Sequence, residues 1–377
     1  MPNYQGVWSL TTQMQNVSDW PTFVFTNSRA LFAGGESSSG TFSDVIDYID
    51  ITSTGNATDF GDLSSVKKAP SSVSSATRAV FGGGSTTNGG GYINVLEYVT
   101  IASVGNVTDF GDLSVTCQEG TGTGSSTRGI FQIGFTVADS KSNIIEYITI
   151  ASTGNSQDFG DLTQGRAYGQ DSALSSSTRS VFGGGYASSA VNTIDYITTA
   201  STGNATDFGD LTVTRYGMGA GSSQTRGVFG GGHTSGDTID YITIASTGNA
   251  SDFGNLNSGD ARYKGGTSTF TRAVFGGGQL SSTRLDAIDY ITIATTGNAI
   301  DFGDMSYTRA NASNDGASSS TRGIFSGGGS PATDNDNSRM RSIEKVEIAT
   351  LGNTVDFGDM TDHASNHHVM SNAHGGL

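Results

Sequence analysis

Short runs of Val, Ile, Phe and Tyr alternate along the chain with Gly, Ser, Thr and Asn, and no apolar stripe at helical spacing persists. Runs of this kind, bounded by turn-forming residues, predict strands. Gly and β-branched residues crowd each segment too densely for helices. In the segment Ile239 to Ile244, alternation sets Ile239, Tyr241 and Thr243 on one side and Ile242 and Ile244 on the other. Both sides are largely apolar, which predicts a strand covered on two faces.

The pattern repeats. Thr77-Arg78-Ala79-Val80-Phe81-Gly82-Gly83-Gly84 returns from Thr178, Thr225 and Thr271, with looser copies from Ser28, Thr127 and Thr321. Its arginines (Arg29, Arg78, Arg128, Arg179, Arg226, Arg272 and Arg322) are spaced 46 to 51 residues apart. A second phrase follows each copy, clearest from Ile239 to Gly254, and contains the turn Ser246-Thr247-Gly248-Asn249, where Gly and Asn tolerate positive φ. Each repeat reads as a small-residue strand a, a strand b (Arg-x-Val-Phe-Gly), a strand c (Ile-Asp-Tyr-Ile-Thr-Ile-Ala) and a strand d (Ala-Thr-Asp-Phe-Gly). Seven such units predict an all-β, seven-bladed β-propeller with four antiparallel strands per blade. Residues 1–21 match no full repeat and form an N-terminal arm, while 22–377 form the single propeller domain.

Ring closure is legible in the intervals. Phe60 to Arg78, Phe208 to Arg226 and Phe302 to Arg322 span 18 to 20 residues, enough for a d–a loop, strand a and a turn. Trp20 to Arg29 spans only 9. The segment His367 to Asn372 is therefore expected to be the innermost strand of the first blade, with strands b, c and d supplied by residues 28–63. The competing arrangement makes Thr22 to Phe25 that strand and leaves the C-terminus as a tail or part of a split eighth blade.

Composition narrows the function. Gly numbers 55, only 14% of residues are charged, and the net charge is −16. So acidic a chain has no global attraction for nucleic acid or an anionic membrane. A single cysteine, Cys117, excludes an internal disulfide framework. No apolar run reaches the ~18 residues of a spanning helix. Met1 to Trp8 lacks the features of a signal peptide, so synthesis in a cytoplasm without membrane insertion is expected.

From Leu211 to Leu256 the order is Arg215-Tyr216, a small strand, Arg226 to Gly231 with its double glycine, an Ile-x-Tyr strand, and an aromatic followed by Leu. That order resembles the kelch repeat. It departs at Phe253, and at Phe60, Phe110, Phe159, Phe208, Phe302 and Phe357, where kelch repeats usually carry Trp. The resemblance implies a kelch-like propeller, a fold that hosts enzymes, adaptors and adhesins. The wording Ile-Thr-Ile-Ala-Ser-Thr-Gly-Asn-Ala-Thr-Asp-Phe-Gly-Asp-Leu is similar to repeat-rich structural proteins of marine tailed phages. That similarity implies a virion protein of a tail fibre or surface appendage. It would be made in the host bacterial cytoplasm, present in multiple copies per particle, and bound to other virion proteins.

The repeat arginines, Asp240 and Asp252 are expected to make structural hydrogen bonds and ion pairs, because a residue repeated around a ring answers to blade geometry. The triple glycines precede no Lys-Ser/Thr and no helix, which excludes a P-loop. Asn56, Asn106, Asn204 and Asn249 lie in Asn-x-Ser/Thr sequons and read as turn formers. His363, His367, His368 and His374 cluster near the end, but a copper oxidase on a kelch-like propeller would need a cysteine bonded to a tyrosine, and Cys117 has none close in sequence. No catalytic residue, metal or cofactor is expected, and the chain reads as non-enzymatic.

The a–b and c–d turns barely change between repeats, whereas the b–c and d–a loops change completely. In an antiparallel blade the variable loops share one face, the usual seat of binding. The d–a loops carry Tyr beside cations, making Arg166, Tyr168, Arg215, Tyr216, Arg262, Tyr263, Tyr307 and Arg309 the candidate ligand-binding residues, suited to sugar rings and anionic groups. Alternatively they pack the channel top or neutralise local acids. Trp8 and Trp20 are candidate assembly contacts, unless they fold back on the propeller. The expected function is a virion structural protein whose variable face binds a host surface glycan or a neighbouring virion subunit. The alternative is an intracellular kelch-type protein-interaction scaffold.

Overall fold

A computed structural model describes residues 28–372, apart from 38–39, 138–139, 169–171, 235, 260, 311–316 and 330–338. The arm 1–21 with Trp8 and Trp20, and the alternative inner strand Thr22 to Phe25, lie outside the described residues.

Each Thr-Arg phrase opens strand b. In the fifth blade Arg226–Gly230 pairs antiparallel with Gly219–Ser222 on its inner side and with Thr238–Thr243 on its outer side, and the latter pairs with Ser251–Asn255. The order is a-b-c-d, as the repeat predicts. Among the described residues the strands form seven antiparallel sheets, and no α-helix is present. The seventh sheet differs from expectation. It has the three strands Arg322–Ser326, Met340–Glu347 and Val355–Ala364, while a single bridge, Ser318 to Gly323, holds the inner position.

The apolar strand faces are buried between neighbouring blades. Val228, Ile239 and Phe253 of the fifth blade pack with Ala273, Phe275 and Ile291 of the sixth. The seventh blade's Ile324, Ile343 and Phe357 pack with the first blade's Phe32, Ile49 and Ile51. Each buried Phe or Ile contributes about 1.5–3 kcal/mol. Close approach explains the first glycine of the triplet, because a Cβ at Gly230 would stand 2.9 Å from the ring of Phe275.

Polar bonds knit the same seams. The repeat arginine donates to a carbonyl of the next blade, Arg226 to Ile293 O at 2.8 Å for example, while its guanidinium lies 4.4 Å from the centroid of Tyr241 in its own blade. The c–d turn glycine donates back to the previous blade's Phe carbonyl, as Gly248 does to Phe208 at 2.7 Å. Asn249 of that turn accepts the Asp210 N–H at 3.1 Å, which confirms the sequon asparagines as turn residues that brace a neighbour.

The ring closes through the same bonds. Arg322 donates to Ile51 O at 2.8 Å, and Gly55 to Phe357 O at 2.8 Å. His368–Ser371 pairs antiparallel with Arg29–Ala33 and completes the first sheet with Val45–Asp50 and Thr58–Asp62. The C-terminal strand therefore supplies the innermost strand of the first blade, as the intervals predict.

Candidate functional site

The variable loops meet on one face. Each d–a loop bridges to the b–c loop of the blade it enters: Lys68 to Ser85, Ala167 to Tyr186, Tyr216 to His233 and Arg262 to Gln279. Where these loops reach the channel they adopt left-handed backbone, with φ of 50° at Ala69, 52° at Glu119, 57° at Tyr168, 58° at Tyr263 and 52° at Asn366. Non-glycine residues enter this region at a cost of roughly 1–2 kcal/mol each. Circumferential hydrogen bonds hold them there: Ala69 N–H to Asn366 O at 3.0 Å, Glu119 N–H to Ala69 O at 3.2 Å, and Tyr263 N–H to Gly217 O at 3.0 Å. The result is a backbone collar at this end of the channel, and Tyr168 and Tyr263 belong to it.

Three of the predicted ligand contacts move inside. Arg215 is fully buried and donates to Asp240 at 2.7 Å; Arg166 donates to Asp195 at 2.8 Å and Arg309 to Glu344 at 2.7 Å, both within the protein. Lys67–Glu97 and Lys264–Asp289 are the matching pairs of other blades. The acid always lies on strand c just after a bulge, as at Ile239/Asp240, and the bulge re-aims its carboxylate into the blade. The cation side chain thus fastens the incoming loop to the blade instead of reaching solvent. Burial lowers the pKa of Arg166 and Arg215, with the paired aspartates opposing the shift, and pushes Lys264 down to about 8.

Two blades lack that cation. Cys117 stands at the cation position facing Glu146, whose carboxylate is held by Ser114 and Ser156, and burial pushes its thiol up to about 12 with Glu146 adding to the shift. In the first blade Asp47 is bonded by Thr361, through its N–H at 2.8 Å and its hydroxyl at 2.8 Å, and burial raises its pKa.

The tyrosines remain at the surface and come together. Tyr168 lies 5.6 Å from Tyr216 and 6.1 Å from Tyr186, ring centroid to centroid, and Tyr186 lies 5.3 Å from Tyr216. His233 stacks on Tyr216 at 4.9 Å and 15°, and Phe135 meets Tyr168 edge-on at 5.0 Å. Tyr263 packs over Gly217. Tyr307 is 40% exposed and stands outside this cluster. Cations border the aromatic floor: Lys141 Nζ is 5.4 Å from the Tyr186 ring, and the Arg262 guanidinium is 5.3 Å from that of Tyr263. Phe135, Lys141, Tyr186 and His233 come from b–c loops, where the sequence reading sought no aromatic or cation. The antiparallel order puts the b–c and d–a loops on one face, but no repeated residue marks these four.

The channel itself is chemically plain. A cavity of about 520 Å³ runs along the inner strands to the a–b turns at Ser125, Ser176 and Gln224, and Ser, Thr, Gly and Ala dominate its lining, with no ionisable side chain among the described residues. His367 and His368 do not converge: His367 Nε2 lies 2.9 Å from Ser326 Oγ of the seventh blade, whereas His368 Nδ1 lies 3.3 Å from Ser72 Oγ of the second.

No protein-family model matches the chain, and no curated protein matches it.

Proposed function

We propose that this β-propeller is a non-enzymatic binding component of a virion, a kelch-like member of a tail fibre or surface appendage, whose variable face holds a host surface glycan. The observation that carries the binding half is the aromatic cluster of Tyr168, Tyr186, Tyr216 and His233, assembled from the loops of three adjoining blades. Tyrosine faces stack on the C–H faces of sugar rings, and their hydroxyls supply hydrogen bonds without a charged group. Rigid blades beneath the loops reduce the ordering cost of binding. The virion half rests on the resemblance of the repeat wording to structural proteins of marine tailed phages. Seven copies of one packing solution also suit a protein that must endure outside a cell.

The test has two arms. Antibody against the chain should detect it in density-purified intact particles, and the purified protein should retain surface polysaccharide from the host that those particles infect. Presence only in the soluble fraction of infected cells would favour the interaction-scaffold alternative. Retention undiminished by Tyr216→Ala would move the site elsewhere.

A further inference from the structure

Resting on that reading of the variable face, we infer that the glycan is acidic, carrying carboxylate or sulfate groups, and that Lys141, Arg262 and Arg284 read those groups. There are 19 Lys and Arg residues against 35 acids. The seven repeat arginines bond across blade seams. Five cations lie in the buried pairs, and Lys68, Lys345 and Arg341 face Glu36, Glu347 and Asp359. Lys141, Arg262 and Arg284 have no ion pair among the described residues, despite the excess of acid. Lys141 and Arg262 border the aromatic floor, and Arg284 stands in the b–c hairpin of the sixth blade that Arg262 joins.

Their placement is built. Arg262 bridges to Gln279, which pairs directly with Arg284 in the small hairpin of the sixth blade. Directly opposed residues project from the same side of a ladder, so Arg262 and Arg284 flank Gln279, whose amide donates to Ser281 O at 2.9 Å. Among the described residues Arg262 Nε is buried without an acceptor, while its guanidinium borders Tyr263. Arg339 adds a further positive charge near Arg284. At the other end of the floor, Lys141 sits against Phe135 and Tyr186. Sugar rings on the tyrosines would place acidic substituents at these cationic ends, where guanidinium forks bind carboxylate or sulfate in bidentate fashion. A densely charged polyphosphate fits less well, since few cations are offered and the rest of the protein repels it.

The experiment is calorimetric titration of the full chain with four probes: oligogalacturonate, a sulfated galactan oligosaccharide, a neutral laminari-oligosaccharide and a single-stranded deoxyoligonucleotide. The acidic saccharides should bind, with the preferred one of the two assigning carboxylate or sulfate, and the neutral one should bind at least about tenfold more weakly. Arg262→Gln and Arg284→Gln should each weaken the acidic saccharides about tenfold, the worth of one charge-assisted bond. Neutral binding and melting temperature should stay unchanged, and Tyr216→Ala should weaken every saccharide. Equal binding of neutral and acidic probes, with the arginine variants silent, would overturn the acidic assignment and leave the glycan reading standing. Tightest binding to the oligonucleotide would overturn the inference. No saccharide bound at all would overturn both.

Discussion

Replacing Arg215 with methionine separates a structural arginine from a binding one. The side chain is fully buried, with Nη2 on Asp240 at 2.7 Å and Nη1 on the carbonyls of Gly231 at 2.9 Å and Thr238 at 2.5 Å. Methionine retains much of the volume and removes every one of these bonds. Asp240 is then a buried carboxylate held only by the N–H and hydroxyl of Thr212. Breaking one side of a buried pair costs about 3–5 kcal/mol. With an unfolding entropy of roughly 2.1 cal/mol/K per residue across 377 residues, that lowers the melting temperature by about 4–6 °C. The double variant Arg215→Met with Asp240→Leu removes the stranded charge and should recover most of the loss, because an apolar pair of similar volume is often neutral. Differential scanning calorimetry of the two singles and the double completes the cycle. A melting temperature unchanged in Arg215→Met, together with lost glycan retention, would refute the structural assignment and return Arg215 to the binding surface.

Truncation after Gly358 removes the strand that closes the first blade and should lower and broaden the melting transition, and an equally high, equally cooperative transition would mean that His368–Ser371 does not close the ring. Asp47 carries a raised pKa, so its ionisation in the folded state opposes stability at neutral pH, and Asp47→Asn should melt higher than the parent at pH 7 with the difference vanishing near pH 3. His367 behaves in the opposite sense: burial holds its pKa down at about 3 against an ordinary 6.5, so the stability it supports is full above pH 6.5 and is lost as pH falls toward 3. His367→Gln should flatten that acid limb in a series of melts from pH 3 to 8. Cys117, its thiol pushed up to about 12, should resist a disulfide reagent in the native protein and react at once in denaturant.

The blade pattern was legible because every blade solves the same packing problem with the same residues. Phe at strand b and Asn in the c–d turn recur in all seven repeats, and the glycine that receives the Phe recurs in four, with Ala33, Gln132 and Ser326 in the other three. Closure was legible for a related reason, since the short Trp20 to Arg29 interval and the surplus after Phe357 complement one another. The side on which Arg215 falls was not. Arg215 and Tyr216 are neighbours in sequence, and only the loop's path into the blade sends the first inward and leaves the second at the surface. A sequence signal for the buried pairs did exist. Asp or Glu recurs on strand c in all seven repeats, and Lys67, Arg166, Arg215 and Arg309 occupy equivalent places in four of the loops, while Lys264 reaches its acid from three residues beyond the equivalent Ala261. The aromatic cluster depends on loops of unrelated wording meeting in space, and nothing in the repeat specifies that meeting.

The proposed division of labour gives stability to the seams between blades and binding to the variable face. It is tested most directly by one pair of variants measured in two assays. Arg226→Ala loses the 2.8 Å bond to Ile293 and the contact over Tyr241, worth about 2–3 kcal/mol together, and should melt about 3–4 °C lower while binding the acidic saccharide as before at 20 °C. Tyr216→Ala should lose saccharide binding about tenfold or more, beyond the few degrees of melting temperature that the loss of its ring contacts with Tyr168, Tyr186 and His233 accounts for. Binding lost in Arg226→Ala and retained in Tyr216→Ala would overturn that division.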